Sequence, residues 1–226
     1  MNLGQAVKLT QSGSVFQPKS GFERHPVVKL SWFGARAFAR WMGGDLPTEA
    51  QWEKAAKGGR EVSWPWGDAW DPTQANTAER LAKVREIASG VDWQKWWEKH
   101  YKTVIAPNGD WSDTTLPVKN YRPNGCGLYD VAGNVWEWCL DWYAADAYRQ
   151  LSDGDRNPAG PASGDEQNVE YWQGGEKKTD RQPCRVVPGG GWDDRAAGTR
   201  CAFRGWRLPA FRSSAVGVRV VVLPRP

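Results

Sequence analysis

"PNGCGLYDVAGNVWEWCLDWY", residues 123–143, decides the fold because a tight turn leads directly into alternating aromatic residues. The Pro-Asn-Gly start indicates the turn, and the alternation predicts a strand that buries Trp136 and Trp138 on one face. Such a strand needs other elements to cover it. The 226 residues include 16 tryptophans and are 40% hydrophobic, which is enough for a sizeable core. We predict a single domain over residues 1–226.

Two helices are predicted before this strand. Residues 25–44 indicate a short strand and then a helix capped by Ser31, with apolar residues at helical spacing. Residues 46–59 begin with Thr48 and, three residues later, Gln51, which is a capping box. Each helix is predicted to end at a Gly-Gly pair.

The remaining segments complete an α+β domain with much irregular structure. Residues 64–70, "WPWGDAW", predict a turn, and residues 78–103 predict a helical insertion of one or two helices. Residues 144–183 are rich in Asp, Gly, Asn, Gln and Pro, which is typical of a long surface excursion. Residues 216–223, "VGVRVVVL", predict a closing strand.

Charge and hydropathy exclude several classes of protein. The formal net charge is +4, from 30 basic and 26 acidic residues, and the signs are mixed along the chain. Without a Lys/Arg block, nucleic-acid binding is not predicted. The N-terminus lacks a charged segment followed by an apolar run, and no apolar stretch is long enough to cross a bilayer. We therefore expect a cytoplasmic protein with no membrane partner, and a phage or surface-delivered role reached by another route is the alternative.

Histidines and cysteines offer no recognisable catalytic or zinc site. The four cysteines lack CxxC spacing, and the two histidines lie far apart, so a zinc site is not predicted. Free thiols are the expected state, and a disulfide is the alternative. Neither histidine has the sequence context of an activated base. These residues are Cys126, Cys139, Cys184, Cys201, His25 and His100.

Four motifs in fixed order carry a family resemblance. They are "HPVVKLSW…FARWMGGDLPTEAQWEKAAKGG", "PWGD", the stretch 123–143 and "GGGW…CAFR…VGVRVV". Together they resemble the formylglycine-generating enzyme/sulfatase-modifying-factor family over residues 25–222, and residues 1–24 match poorly. The resemblance implies an elaborated C-type lectin fold of the formylglycine-generating-enzyme-like subtype.

The same resemblance implies that catalysis has been lost. Enzymes of the family use two thiols, five residues apart, that hold copper(I), and soft thiolates suit that metal. Alignment on the "RCAFR" motif places Cys201 at the second thiol position and Ala196 at the first. With one thiol absent, we predict no enzyme activity and no required cofactor. The related iron-dependent enzymes need three histidines and an extra domain, which this sequence does not supply.

Residues 189–219 resemble the variable region of proteins diversified by retroelements. In those proteins, asparagine codons inside a fixed framework are randomised at adenines. Eight residues match the framework: Trp192, Arg200, Ala202, Arg204, Pro209, Arg212, Gly217 and Arg219. The asparagine positions carry Asp193, Asp194, Arg195, Gly198, Phe203, Gly205, Arg207, Phe211, Ser213, Ser214 and Ala215. Trp206 stands at an arginine position, where one adenine change converts AGG into TGG.

Codon chemistry supports this interpretation. An AAC codon randomised at both adenines becomes NNC, which cannot encode Lys, Glu, Gln, Met or Trp. The first four of these types make up 35 of the 226 residues, so about five are expected in 31 residues on composition alone. Residues 189–219 contain none of those four types. A Gly/Arg-rich loop is the alternative, and it explains the absence but not the matching framework.

The twelve positions predict a ligand-binding face. Solvent-facing side chains can vary with little cost in stability, so the whole set is expected to be exchangeable. Phe203, Trp206 and Phe211 with Arg207 would form an exposed cluster of the kind that binds proteins. We expect a variable macromolecular partner, a protein. The framework arginines are expected to hydrogen-bond loop carbonyls.

Calcium is the metal that the resemblance implies. One set of oxygen ligands would be Asn76, Asp110 and the carbonyls of Thr77 and Ser112; Asn134 and Glu137 match part of another. Hard oxygen ligands of this kind suit calcium. The alternative is that these residues only cap turns.

Three functions follow from the sequence. The favoured one is a non-catalytic ligand-binding protein with a retroelement-diversified face. The others are an oxidase with a degenerate thiol site and an invariant lectin-like module. High Trp, Pro and Arg content would also suit a heat-stable protein.

Overall fold

Short elements joined by long connections make up the structure, which is a computed structural model. It describes residues 9–12, 15–88, 90–100, 114–152, 154–173 and 176–222. The helices are α1 (Trp32–Trp41), α2 (Glu49–Lys57), α3 (Ala78–Ala82) and α4 (Trp93–His100), with two 3-10 turns at Ala147–Gln150 and Ala196–Thr199. The strands are β1 (Leu9–Ser12), β2 (Val15–Pro18), β3 (Trp136–Glu137), β4 (Glu166–Gln173), β5 (Glu176–Pro183), β6 (Arg185–Val187), β7 (Gly205–Arg207) and β8 (Val216–Gly217).

The described strands form four two-stranded pairs. The pairs β1–β2, β4–β5 and β6–β7 are antiparallel, and β3 pairs with β8 in parallel. The isolated bridge between Asp45 and Val221 ties the end of the α1 loop to the C-terminal segment. The predicted mixture of helix, strand and irregular structure is therefore observed.

Local signals correctly predict α1 and α2. The Ser31 hydroxyl accepts a hydrogen bond from the Gly34 backbone N–H and caps α1. In α2 both halves of the capping box form, between Thr48 and Gln51. Gly58 ends α2 with φ 63°, a left-handed conformation that glycine adopts without steric cost. These ends are encoded within a few residues of each other, so the sequence can show them.

Tryptophans build the core, and their indole N–H groups connect distant parts of the chain. Trp32 donates to the Cys139 carbonyl at 2.8 Å, and Trp138 donates to the Leu30 carbonyl at 3.0 Å. Trp52, buried in a second apolar cluster, donates to the Glu137 carboxylate at 2.7 Å. Because a buried N–H needs a partner, each ring adds a directional contact to its apolar packing.

Four expectations about the elements need correction. No strand forms between His25 and Leu30, where the backbone runs irregularly into α1. Residues 131–139 are all buried, so β3 is covered on both faces and does not alternate between core and solvent. The excursion 144–183 contains the eight-residue hairpin strands β4 and β5. The closing strand is limited to β8.

The helical insertion forms α3 and α4, and residues 101–103 lie outside the described part of the chain. Within the described ranges, no helix is long and apolar enough to cross a membrane.

Candidate functional site

The glycines at 189–191 set the start of the predicted variable region. Gly189 and Gly190 have φ values of 93° and 70°, which side-chain-bearing residues rarely adopt. A Cβ at Gly190 would lie 2.6 Å from the Thr199 Cγ2 atom, and one at Gly191 would lie 2.6 Å from Asp193 Oδ1. The backbone can therefore pass close to the next turn only without side chains at these positions.

Framework arginines hold the region to the rest of the fold. Arg204 forms a two-pronged ion pair with Glu49, with Nη2–Oε2 at 2.9 Å, and also donates to the Ala144 carbonyl at 2.8 Å. Arg219 pairs with Glu137 at 2.7 and 2.8 Å and donates to the Tyr129 carbonyl at 3.0 Å. The planar guanidinium suits both carboxylate and carbonyl acceptors.

Arg200 donates to the Ala197 carbonyl at 3.0 Å. The predicted contacts to loop carbonyls are thus observed at Arg200, Arg204 and Arg219, with buried carboxylates as further partners.

Five of the predicted variable positions meet at one open cleft of about 300 Å³. They come from three separate places in the chain: the turn after Trp192, strand β7 and the segment before β8. They are Asp193, Asp194, Arg207, Ser213 and Ser214. The Trp192 indole donates to the Ser214 carbonyl at 3.1 Å and so connects the first place to the third. Tertiary packing brings these positions onto one surface.

The two carboxylates of the cleft resist ionisation. Burial raises the pKa of Asp193 to about 6 and that of Asp194 to about 7. The neighbouring carboxylates raise the pKa of Asp194 further, and Arg207 acts in the opposite direction on both groups. Asp193 Oδ1 is buried and has no hydrogen-bond partner among the described residues.

Aromatic residues of the region do not form one exposed cluster, contrary to expectation. Phe211 is exposed, and its ring lies 5.5 Å from the Arg207 guanidinium. Phe203 is half-buried, with its ring 6.0 Å from that of Trp136, and it lines a separate depression. Trp206 is also half-buried, 6.4 Å from Tyr143. The three rings pack against different partners because they follow different turns of the chain.

Three predicted variable positions are buried, so the expectation that they face solvent is wrong. Ala215 is 1% exposed and belongs to the main core cluster. Gly198 is buried beside the Asp194 carboxylate. At Gly205, a Cβ would lie 2.5 Å from both the Val187 carbonyl oxygen and the Trp136 ring. Arg195 is half-buried, with its guanidinium 5.9 Å from the Trp93 ring.

Three of the four thiols are buried, and Cys126 is exposed. All four cysteines are free, and Cys139 and Cys201 share one buried cluster. Burial raises the pKa of Cys201 to about 12, and that of Cys139 lies well above its usual value. Ala196 is buried as well, and its N–H donates to the Glu79 carboxylate at 2.8 Å. Raised pKa values disfavour the thiolate that binds metals.

The proposed calcium ligands are held by other partners where the structure describes them. Asn76 Oδ1 accepts from Arg80 at 2.6 Å, and its amide donates to Asn134 Oδ1 at 3.0 Å. Glu137 is paired with Arg219. Thr77 is fully buried, while Asp110 and Ser112 lie outside the described residues. Calcium binding remains a prediction.

Sequence reasoning missed the residues that α4 contributes to the cleft. Trp93, Gln94 and Trp97 line it, and the Trp97 ring lies 6.1 Å from that of Trp192. The density of tryptophan in "DWQKWWEKHY" is the signal that could have identified them. Trp136, expected in the core, and the framework residue Trp192 also line the cleft.

Comparison with known sequences identifies related proteins. The family described as "Sulfatase-modifying factor enzyme 1-like domain" matches residues 6–223. The chain is 34% identical over 200 residues to serine/threonine-protein kinase pkn1 of Chlamydia caviae, covering 88% of this chain and 24% of that protein. It is 42% identical over 148 residues to the formylglycine-generating enzyme of Streptomyces coelicolor, covering 64% of this chain and 40% of the enzyme. The chain therefore spans about a quarter to two-fifths of these relatives.

Solved structures share the fold. Treponema denticola variable protein 1 has a TM-score of 0.56 and 22% identity, covering 92% of this chain and 73% of that one. PvdO from Pseudomonas aeruginosa also has a TM-score of 0.56, with 19% identity, covering 96% and 71%. These likenesses confirm the expected α+β C-type lectin fold of the formylglycine-generating-enzyme-like subtype.

Proposed function

The chain belongs to the sulfatase-modifying factor enzyme 1-like family, and on that premise we propose that it is a non-catalytic ligand-binding protein with a variable C-terminal face. In this proposal a retroelement rewrites the face by adenine mutagenesis, so that different copies recognise different protein targets. The rest of the fold serves as a constant support.

The convergence of variable positions on one cleft carries the proposal. Residues 193, 194, 207, 213 and 214 are separated by up to 21 positions in the chain and still line one open surface. A retroelement that changes scattered codons would then change one recognition surface. Substitutions scattered along an ordinary loop would not meet at one surface.

Framework contacts around the cleft support the expected tolerance of such changes. The Arg204–Glu49 and Arg219–Glu137 pairs fix the backbone on either side through framework residues. Side chains that face the open cleft can change without disturbing those pairs, because surface substitutions generally cost little stability. Recognition would use the partly exposed Arg207 and Phe211, residue types that often dominate protein interfaces.

The thiol environment supports the absence of catalysis. Ala196 occupies the first thiol position, and the raised pKa of Cys201 disfavours a thiolate at the second. A copper(I) titration tests this part of the proposal. No stoichiometric binding is expected, whereas one tightly held copper(I) per chain that Cys201→Ser abolishes would favour the oxidase alternative.

A randomised library tests the binding function. NNC codons are placed at Asp193, Asp194, Arg207, Ser213 and Ser214, and binders are selected against a panel of unrelated proteins. Most members are expected to melt within a few degrees of the parent, and several targets should yield binders. A matched library has five randomised positions on the exposed part of β5 and keeps the parent cleft. Equal yields from the two libraries, or general unfolding of the first, would contradict the proposal.

The gene neighbourhood provides an independent test of diversification. A near-repeat of the 3′ end of the gene should carry AAC at the eleven asparagine positions, next to a reverse-transcriptase gene. A gene with neither feature would leave an invariant module as the better explanation.

A further inference from the structure

Four tryptophans surround the cleft at different depths. Trp136 and Trp192 are 4% and 1% exposed and form its inner wall, whereas Trp93 and Trp97 of α4 are half-buried and form its rim. The Trp93 and Trp97 rings lie 5.6 Å apart and are tilted by 44°. Faces of indole rings carry negative charge density and attract cations. The constant part of the cleft therefore favours a positively charged group.

Carboxylates add to this preference. Asp193 and Asp194 line the cleft, and Asp193 Oδ1 has no hydrogen-bond partner in the described part of the chain. Glu79 is fully buried nearby, and its charge raises the pKa of Asp194. A buried carboxylate without a partner is unfavourable, and an entering cation would relieve that cost.

Two arginines of this chain already lie against the same wall without neutralising the carboxylates. Arg207 is 5.6 Å from the Trp136 ring and donates to the Trp206 carbonyl at 2.8 Å. Arg195 lies over Trp93. Among the described residues no ion pair joins either guanidinium to Asp193 or Asp194, and Arg207 acts on both carboxyl groups only through its charge.

We propose that the cleft of this chain binds an organic cation, an ammonium or guanidinium head on a short apolar stem. The inference deepens the proposed function, on which it rests, by naming the chemistry that the cleft recognises. The tryptophan walls lie outside the twelve variable positions, while both cleft carboxylates are among them. The walls would thus supply affinity for a cationic or flat group in every copy. The variable carboxylates would select positive charge in this one.

Paired ligands of equal shape test the role of charge. Choline and 3,3-dimethyl-1-butanol differ mainly in the charged nitrogen, which is replaced by carbon in the alcohol. We expect choline to bind at millimolar concentration in an NMR titration, and the neutral alcohol to bind at least tenfold more weakly. Equal affinity for the two would overturn the proposal.

Substitutions test the location. Asp194→Asn and Asp193→Asn keep the shape of the carboxyl group and should each weaken choline binding about fivefold or more. Trp97→Leu should weaken it as well. The matched controls are Asp146→Asn and Trp41→Leu, both at exposed sites away from the cleft, and they should leave binding unchanged. Choline binding that survives both Asp193→Asn and Asp194→Asn would place the cation elsewhere and overturn the assignment.

Proton release provides a second readout. Asp193 and Asp194 are the titrating groups, with Glu79, Arg195 and Arg207 as their charged neighbours. A cation favours the ionised form, so choline binding near pH 6.5 should release protons. Calorimetry in buffers of different ionisation enthalpy measures this release. Binding without proton release at this pH would contradict a site beside these carboxyl groups.

The source of the cation is distinguished by further probes. Nα-acetyl-lysine amide and Nα-acetyl-arginine amide represent basic side chains of a protein target, and choline represents a free small molecule. Tighter binding of a lysine-containing peptide than of choline would identify a protein side chain. If choline binds but the randomised library fails, the inference stands and the proposed variability is wrong. If the library succeeds but neither choline nor the two amides bind, the inference alone fails.

Discussion

Adding a single methyl group at Gly205 distinguishes a freely variable position from a structural one. Gly205 begins β7 and pairs with Val187 of β6. The Cβ of Gly205→Ala would lie 2.5 Å from the Val187 carbonyl oxygen and 2.5 Å from the Trp136 ring. The ring cannot easily retreat, because Trp136 is 4% exposed and its backbone N–H, which donates to the Ala215 carbonyl at 2.8 Å, holds the residue in place.

The strand pair must therefore separate by roughly 1 Å, and the cost follows from two terms. Overpacking a well-filled core costs about 1–3 kcal/mol, and weakening one backbone hydrogen bond costs about 1 kcal/mol. We expect the free energy of unfolding to fall by about 3 kcal/mol. For a chain of this length, that corresponds to a loss of roughly 6–12 °C in Tm.

Urea unfolding followed by circular dichroism measures this difference. Ser214→Ala is the matched control, since Ser214 is also a predicted variable position but is half-buried at the cleft. It should stay within about 0.5 kcal/mol of the parent. Should Gly205→Ala prove as stable as Ser214→Ala, steric exclusion at β7 would be refuted and Gly205 would count as an exchangeable position.

The remaining predictions concern charges and thiols. Arg219→Ala should lower the free energy of unfolding by about 3–5 kcal/mol, because it leaves the buried Glu137 carboxylate without its partner. Arg219→Lys should recover only part of the loss. Urea titration measures both variants, and a decrease below about 1 kcal/mol for Arg219→Ala would contradict this prediction. Burial raises the pKa of Asp194 to about 7, above its unfolded value near 4, so its contribution favours folding at low pH and is lost as the pH rises through about 7. Asp194→Asn should therefore stabilise the protein more at pH 8 than at pH 5, and an equal effect at both would disprove the raised pKa. Only Cys126 is exposed, so a thiol reagent such as dithionitrobenzoate should label one cysteine quickly and four after unfolding; rapid labelling of a second would show that a buried thiol is accessible.

Local features were the most predictable from sequence. Ser31 and the Thr48–Gln51 box correctly indicate the starts of α1 and α2, because a cap depends on residues within one turn of the helix. The hairpin of β4 and β5 was missed for the complementary reason. Most of its residues are polar and exposed, and the apolar positions Val169 and Tyr171 are too few for an alternating pattern to indicate a strand, so cross-strand pairing organises it.

The candidate site also combines features that local sequence indicates with features that only tertiary packing sets. The order of framework positions and proposed variable positions can be read from residues 189–219, and the structural role of Arg200, Arg204 and Arg219 follows from residue type. The contribution of Trp93 and Trp97 could not be inferred in the same way. These two residues lie about a hundred positions before the variable region, and only the docking of α4 brings them to the cleft.

The sequence by itself determined the family, the two capped helices and the framework of the C-terminal region, because each depends on residue identity at fixed short spacing. Only the tertiary structure decided that Gly198, Gly205 and Ala215 are buried while Asp193 and Ser214 line an open cleft. All five positions fit the same codon pattern, which carries no information about depth. Burial is set by what packs against a position from elsewhere in the chain, and at Gly205 that is the β6 backbone and the Trp136 ring.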